Sequence, residues 1–176
     1  MDEKLKKYQE IHEPDFRSTV WVRIDRNSEV EKHETLRNLY DDIALIELSS
    51  DVPDKIKSQF NIARNLGLYT WYCYSFHQIC ELKAFSSLEF ALREKFAVKR
   101  PGLKKLLKRA VSEGVLTDSC FSHVEIKDKN STSYCERLID VIPALRNDLA
   151  HGSMTLHHHS IVTLRKCADM INGLFV

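Results

Sequence analysis

The sequence predicts an all-α protein, a helical bundle of about four helices preceded by a short irregular or strand-containing N-terminal arm. The chain holds 5 glycines and 4 prolines in 176 residues, whereas average usage would give about 21 of the two together. So few turn-forming residues do not suit the many tight turns of a sandwich or barrel. Hydrophobic residues make up 43% and charged residues 29% of the chain, which excludes a disordered or membrane-spanning protein.

The N-terminal arm is assigned to residues 1–52. Val20, Val22 and Ile24 alternate with other residues, which is typical of a short strand or of an extended arm packed on helices. Further along, apolar residues three and four apart predict a short helix, namely Leu36, Leu39 and Ile43.

The helical domain is assigned to residues 53–176. Residues 54–96 contain no proline, and their apolar residues recur every three or four positions, as on a helix. One unbroken helix of this length would span about 65 Å, so we expect a kink or break near Gly67. The stretch from Leu68 to Tyr74 is apolar nearly all round, which suits a central helix or one buried by a second subunit.

Three further helices complete the predicted bundle. A turn at residues 99–102 precedes a short amphipathic helix from Leu103 to Glu113. After a loop at 117–129, Ser133 and Glu136 have the spacing of a capping box. They open a helix that Pro143 kinks without ending it and that runs to about His151 and Gly152. The last helix spans about 159–174.

Charge and cysteine usage describe the setting. The net charge is +1, so there is no global field toward nucleic acid or lipid, and such binding needs a local patch. The polar N-terminus lacks the apolar segment of a signal peptide. Five cysteines without a CxxC pair indicate reduced thiols rather than a disulfide framework or zinc site. We expect a cytoplasmic protein with no membrane partner.

One constellation suggests chemistry, at the end of the helix that contains Pro143. On a helical projection Leu138, Ile142 and Leu149 lie within about 60° of Leu145, and these four residues form the predicted core face. The opposite face holds Asp140, Ala144, Asn147 and His151, and Arg146 lies between the two stripes.

This group of residue types suits phosphodiester chemistry. The imidazole of His151 can take a proton from a ribose 2′-hydroxyl or give one to the leaving oxygen. The guanidinium of Arg146 can hold the phosphate and stabilise charge in the transition state. The amide of Asn147 can orient the histidine or donate to a phosphate oxygen. Such cleavage needs no metal or other cofactor and is confined to RNA.

Residues 146–152, R-N-D-L-A-H-G, resemble the R-N-x-x-x-H signature of the HEPN superfamily. The similarity extends to the helical layout of about residues 53–174. The resemblance implies an all-α bundle that forms a homodimer and brings two Arg/His motifs into one cleft, with Arg146 and His151 as the catalytic pair and Asn147 supporting them. Many members are metal-independent endoribonucleases of toxin–antitoxin, phage-defence or RNA-processing systems, so an antitoxin or defence-system protein is an expected partner. Other members are non-catalytic RNA-binding or scaffold modules.

Several other features have a functional and a structural interpretation. Like charges four apart on the short helix suit RNA binding or a solvated basic face, and they are Lys104, Lys105, Lys108 and Arg109. Glu81 is either a buried acid facing Arg146 or a solvent-exposed residue, and Asp140 is a surface carboxylate or a partner of Arg137. The adjacent histidines at 157–159 point in different directions, so we expect no metal site there. Aromatic residues at 69–76 suit core or dimer packing, or base stacking.

The sequence therefore predicts a metal-independent HEPN-type endoribonuclease. The alternative is a non-catalytic dimeric scaffold that binds RNA, nucleotide or a partner protein. A histidine-cluster metalloenzyme ranks third, because the chain lacks an HExxH motif.

Overall fold

The computed structural model describes residues 3–24, 31–125, 128–153, 155, 158 and 160–176. In these residues it has seven α-helices: α1 (Phe16–Thr19), α2 (Leu36–Ala44), α3 (Asp54–Tyr69), α4 (Phe76–Lys95), α5 (Leu103–Ser112), α6 (Ser133–Ala150) and α7 (Ser160–Leu174). Single 3₁₀ turns occur at Tyr8–Glu10 and Asp118–Cys120. Two three-residue strands, β1 (Val22–Ile24) and β2 (Glu31–His33), form an antiparallel ribbon. The fold is all-α apart from this ribbon.

Helix α4 is the central helix of the bundle. It packs against α3, α5, α6 and α7, and its buried residues cover more than one face, since Ala84, Phe85 and Ser87 are all buried. A helix buried on most of its circumference needs few polar positions. The prediction placed the all-round apolar helix at Leu68–Tyr74, but residues 70–75 form the turn between α3 and α4.

Gly67 lies inside α3 and does not break it. The helix continues to Tyr69. The break expected near Gly67 therefore occurs two residues later, after Tyr69, and the segment 54–96 forms two helices. A Cβ at position 67 would lie 3.0 Å from Ile43 Cδ1 and 3.3 Å from Leu164 Cδ1. The glycine therefore serves close packing of α2 and α7 against α3. With α3 and α4 counted separately, five helices of ten or more residues occupy 54–174, where about four were predicted.

The helical core extends back into the first 52 residues. Leu39, Ile43, Ile46 and Val52 are buried in the same apolar cluster as α3 and α4. Leu39 and Ile43 come from α2, which forms where the three-to-four spacing predicted a short helix.

The segment before β1 is tied to the α3–α4 turn by Asp15. Its N–H donates to Trp71 O at 2.8 Å, and its carboxylate accepts from Tyr74 N at 3.1 Å and from the Arg17 guanidinium. Burial alone would raise the pKa of Asp15, but these hydrogen bonds outweigh it and hold the pKa at about 2. Of the residues predicted to form a strand, Val20 is the C-cap of α1, and the strand is confined to Val22–Ile24.

Helix α6 starts from a cap supplied by a distant residue. The capping box predicted at Ser133 and Glu136 is wrong, since the N-cap is Thr132 and its side chain caps no backbone N–H. Instead, Asp118 Oδ1 accepts from Tyr134 N and Cys135 N, each at 3.0 Å. A buried carboxylate at a helix N-terminus satisfies the unpaired N–H groups and the helix dipole together.

Helix α6 continues through Pro143, as predicted, but its buried face is rotated from the predicted one. Leu138 and Ile142 are buried, whereas Leu145, placed in the core stripe, is 48% exposed. Pro143, the residue after Ile142, is also buried, so the buried face extends from Ile142 toward Pro143 and not toward Leu145. Arg146 follows Ile142 by four residues, about 40° around the helix, and therefore starts from a position close to the core.

Within the described residues, no helix has both the length and the apolar character needed to cross a membrane.

Candidate functional site

His151 stands on a hydrogen-bonded turn that ends α6. Gly152 N donates to Leu149 O and Ser153 N donates to Asp148 O, the paired bonds of a Schellman motif. Gly152 has the positive φ of 85° that this turn requires. His151 is the C-cap residue and is exposed. Its imidazole is thus presented to solvent from a fixed backbone position.

The Arg146 side chain points toward the bundle and is paired there. Its Nη2 donates to Glu89 Oε2 at 3.3 Å, and its Nη1 donates to Asn147 Oδ1 at 3.2 Å. The side chain is 35% exposed. The Asn147 side chain therefore contacts Arg146, while its backbone carbonyl accepts from His151 N at 3.0 Å.

Glu89 of α4 is the acid that faces Arg146, and the sequence interpretation missed it. Glu89 is 7% exposed and also accepts from Arg93 Nη2. The sequence signal was the Glu89–Arg93 spacing of four residues, which predicts an ion pair on one helix face but does not show whether that pair is buried. Glu81 is buried too, and its Oε1 accepts from Thr163 Oγ1 at 2.8 Å, whereas the acid in contact with Arg146 is Glu89.

Arg146 and Asn147 form part of the wall of a basic cleft of about 570 Å³ between α5 and α6. Its charged lining is cationic except for one carboxylate: Arg100, Lys104, Lys105, Lys108 and Arg146, with Glu89. Gly102, at the N-terminus of α5, also lines it. A concave surface with this excess of positive charge concentrates anions such as phosphate.

The predicted RNA-binding residues differ in their surroundings. Lys104 forms an ion pair with Asp140 across to α6, with 2.6 Å between Nζ and Oδ1. Lys105 and Lys108 are exposed and have no ion pair among the described residues. Arg109 does not line the cleft, because its guanidinium pairs with Glu113 at 2.7 Å and lies 4.2 Å from the centre of the Phe96 ring.

The structure thus brings Arg146, Asn147 and the lysines of α5 together. His151 is not among the residues that line the basic cleft. Arg146 and His151 are five positions apart, which is about 140° around a helix, so the arginine and the histidine of one chain start from different faces of the α6 C-terminus.

Two other kinds of chemistry find little support in the described part of the chain. Burial raises the thiol pKa of Cys80 and of Cys135 to about 12, and raises that of Cys167 as well, so these thiols are poor nucleophiles. No group of three His, Cys, Asp or Glu side chains there is arranged to hold a metal ion. Of the adjacent histidines, 157 and 159 lie outside the described residues. The ring of His158 packs on that of Trp21, with 3.6 Å between the two ring centroids.

The aromatic residues of the α3–α4 region do not form one surface. Tyr74 is buried, with 6% of its surface exposed, whereas Tyr69 is 57% and Phe76 is 38% exposed. Trp71 and Tyr72 are half-buried. The region therefore contributes both to the core and to the surface.

Comparison with known proteins finds no relative of this chain. No family model, curated protein or solved structure matches it. The resemblance to the HEPN signature accordingly rests on residues 146–152 and on their position at the end of α6.

Proposed function

We propose that the protein is a metal-independent endoribonuclease of the HEPN type. The observation that carries the proposal is the basic cleft, in which Arg146 and Asn147 lie beside the exposed lysines of α5, one and a half turns before the exposed His151 on the same helix. A phosphate-binding surface and a histidine at the end of one helix are the parts that 2′-hydroxyl attack requires.

In the proposed reaction the 2′-oxygen attacks the adjacent phosphorus while a histidine removes its proton. The P–O5′ bond breaks, and the leaving 5′-oxygen takes a proton from an imidazolium. The products are a 2′,3′-cyclic phosphate and a 5′-hydroxyl end. Arg146 stabilises the charge that develops on the phosphate oxygens, and Lys105 and Lys108 hold neighbouring phosphates.

The proposal includes a homodimer, because His151 lies outside the basic cleft of its own chain. Val141, Leu145 and Val162 are each about half exposed and line a groove of about 580 Å³ between α6 and α7. Apolar residues exposed next to the motif suit contact with a second copy. An antitoxin or defence-system protein, in the cytoplasm, remains the partner that we propose to control the activity.

A non-catalytic scaffold that binds RNA, nucleotide or a partner protein is the second candidate. The ion pair of Arg146 with Glu89 favours it, because an arginine that stabilises the α4–α6 contact has a role without catalysis. The two candidates share the basic cleft and differ in whether His151 is needed for turnover.

The test is cleavage of mixed single-stranded and structured RNA in excess EDTA. We expect the wild-type protein to release 2′,3′-cyclic phosphate ends and to leave 2′-O-methyl RNA intact. His151→Ala should abolish cleavage, and His12→Ala, which removes another exposed histidine, should cleave as the wild type does. RNA binding without cleavage by the wild type across these substrates would favour the scaffold, and equal cleavage by His151→Ala would exclude this site.

A further inference from the structure

A small aromatic cavity lies between the N-terminal segment and the helical bundle. It has a volume of about 210 Å³, and residues from four parts of the chain line it, among them Trp21, Trp71, Thr70, His77 and Ile161. We propose that this cavity receives one unpaired base of the RNA strand. The inference rests on the proposed function for the identity of the strand, while the cavity itself is independent of the basic cleft.

The walls of the cavity suit a flat heterocycle. Besides His77, the lining holds the indole rings of Trp21 and Trp71 and the imidazole of His158, whose centroid lies 3.6 Å from that of the Trp21 ring. Bases of any identity stack on aromatic rings. Ser18, Glu34, Thr70 and His77 are the polar and charged residues of the lining, and the donors and acceptors on the edge of a base suit such surroundings.

The size of the cavity suits a single heterocycle. A cavity of about 150 Å³ holds one benzene molecule, and this one has a volume of about 210 Å³. The inner end is closed, since Thr70 is 1% exposed, while Trp21 at 39% lies at the mouth. A base can therefore enter while its sugar and phosphates stay outside.

The walls are held in place before any ligand binds. Ser18 Oγ donates to Thr70 O at 3.0 Å, and Thr70 Oγ1 donates to Gly67 O at 2.7 Å. His77 Nδ1 lies 2.7 Å from Ser160 Oγ, which fixes its ring against the start of α7. A site whose side chains are already fixed loses less conformational entropy on binding.

The cavity is close to the candidate catalytic histidine along the chain. Gln78, the residue after His77, donates through Nε2 to Ser153 O and to Thr155 O, each at 2.8 Å. Ser153 is two residues from His151, a span of at most about 7 Å. A base in the cavity would thus place its own strand beside the segment that follows His151.

Tryptophan fluorescence tests this proposal directly, because both tryptophans of the chain line the cavity. The probes are 2′-O-methyl trinucleotides with each of the four bases at the centre, which cannot be cleaved by 2′-hydroxyl attack. Free nucleoside 5′-monophosphates are the second arm, and N-acetyltryptophanamide in place of protein corrects for absorption by the bases. We expect saturable quenching by at least one trinucleotide, with an affinity at least about tenfold higher than that for the monophosphates.

Two variants and a matched control identify the site. Trp71→Leu removes one stacking wall and leaves Trp21 as the reporter, and Ile161→Phe fills the cavity while keeping both tryptophans. Each should weaken trinucleotide binding about tenfold or more, whereas Tyr69→Leu, at an exposed aromatic residue outside the cavity, should change it less than twofold. If Trp71→Leu proves unfolded by circular dichroism, Ile161→Phe alone decides.

Three results would overturn the proposal: no saturable quenching, unchanged binding by the folded variants, or monophosphates binding as tightly as trinucleotides. The last would assign the cavity to free nucleotide. Quenching that persists in a protein without RNA cleavage would refute the nuclease and leave the base site. Cleavage by a wild type that shows no quenching would refute the base site and leave the nuclease.

Discussion

Replacing Glu89 with Gln should lower the free energy of unfolding by about 1–3 kcal/mol. Glu89 is 7% exposed and accepts from Arg93 and Arg146. Breaking a fully buried ion pair costs about 3–5 kcal/mol, and an exposed pair contributes about 0–1 kcal/mol. The two arginine side chains are 37% and 35% exposed, so water partly solvates them and the expected cost falls between these limits.

The matched control is Glu113→Gln, which makes the same chemical change at an exposed pair. Glu113 and Arg109 are four residues apart on the surface, and both side chains are nearly half exposed. Its cost should stay below about 0.5 kcal/mol. Urea unfolding followed by circular dichroism measures both variants, at a pH where the carboxylates are ionised.

A double-mutant cycle attributes the cost to the contact between α4 and α6. Arg146→Met keeps much of the side-chain volume and removes the charge. Because Arg146 Nε is buried without a partner in the described structure, this change also removes an unsatisfied donor and should cost less than Glu89→Gln. Equal costs for Glu89→Gln and Glu113→Gln, or no coupling between Glu89 and Arg146, would refute a buried ion pair at this position.

Three further predictions concern stability. Asp118→Asn should lower the urea unfolding free energy by about 1–3 kcal/mol, because the carboxylate that caps α6 also accepts from Ser131 Oγ at 2.6 Å; a cost below 0.5 kcal/mol would exclude the cap. Gly173→Ala should cost about 1–3 kcal/mol, because its Cβ would lie 2.5 Å from Cys120 Sγ, and adding Cys120→Ala should restore most of the loss in the same assay. Asp15 has a folded pKa of about 2 against an ordinary value of 3.8, so its contribution is present above pH 4 and is lost as the pH falls toward 2. In urea titrations at pH 5 and pH 2.5, Asp15→Asn should therefore lose less stability on acidification than the wild type, and an equal loss would contradict the assigned pKa.

Local patterns predicted those elements whose apolar face alone decides their position. Helix α5 forms where an amphipathic helix was predicted, and it turns its apolar side to the core, because an amphipathic helix has one way to face a core. Its buried residues are Leu103, Leu106, Leu107 and Ala110, and Val111 is half-buried against them. Helix α7 begins and ends within a residue or so of the predicted range for the same reason. The position of Arg146 within α6 and of His151 at the end of that helix also followed from periodicity.

Features that depend on contacts distant in sequence were not predictable in this way. A glutamate four residues from an arginine has the same local pattern whether it is exposed or buried, so the burial of Glu89 could not be inferred. The cap of α6 comes from Asp118, outside any local capping pattern. Helix α6 buries Pro143 and leaves Leu145 48% exposed, and a helical projection that treats all apolar residues equally does not show this.

Pro143 also divides the hydrogen-bond ladder of α6 into two parts. Having no N–H, it leaves the Ile139 carbonyl without its usual helical donor, in the turn just before Arg146. Local opening follows the weakest hydrogen bonds of an element, so the last two turns of α6 can open while the first turns, anchored by Asp118, stay closed. Amide hydrogen exchange should then be faster for residues 146–151 than for residues 135–142. Separate exchange rates for these two parts would identify the motif-bearing end as a cooperative unit of its own within the bundle.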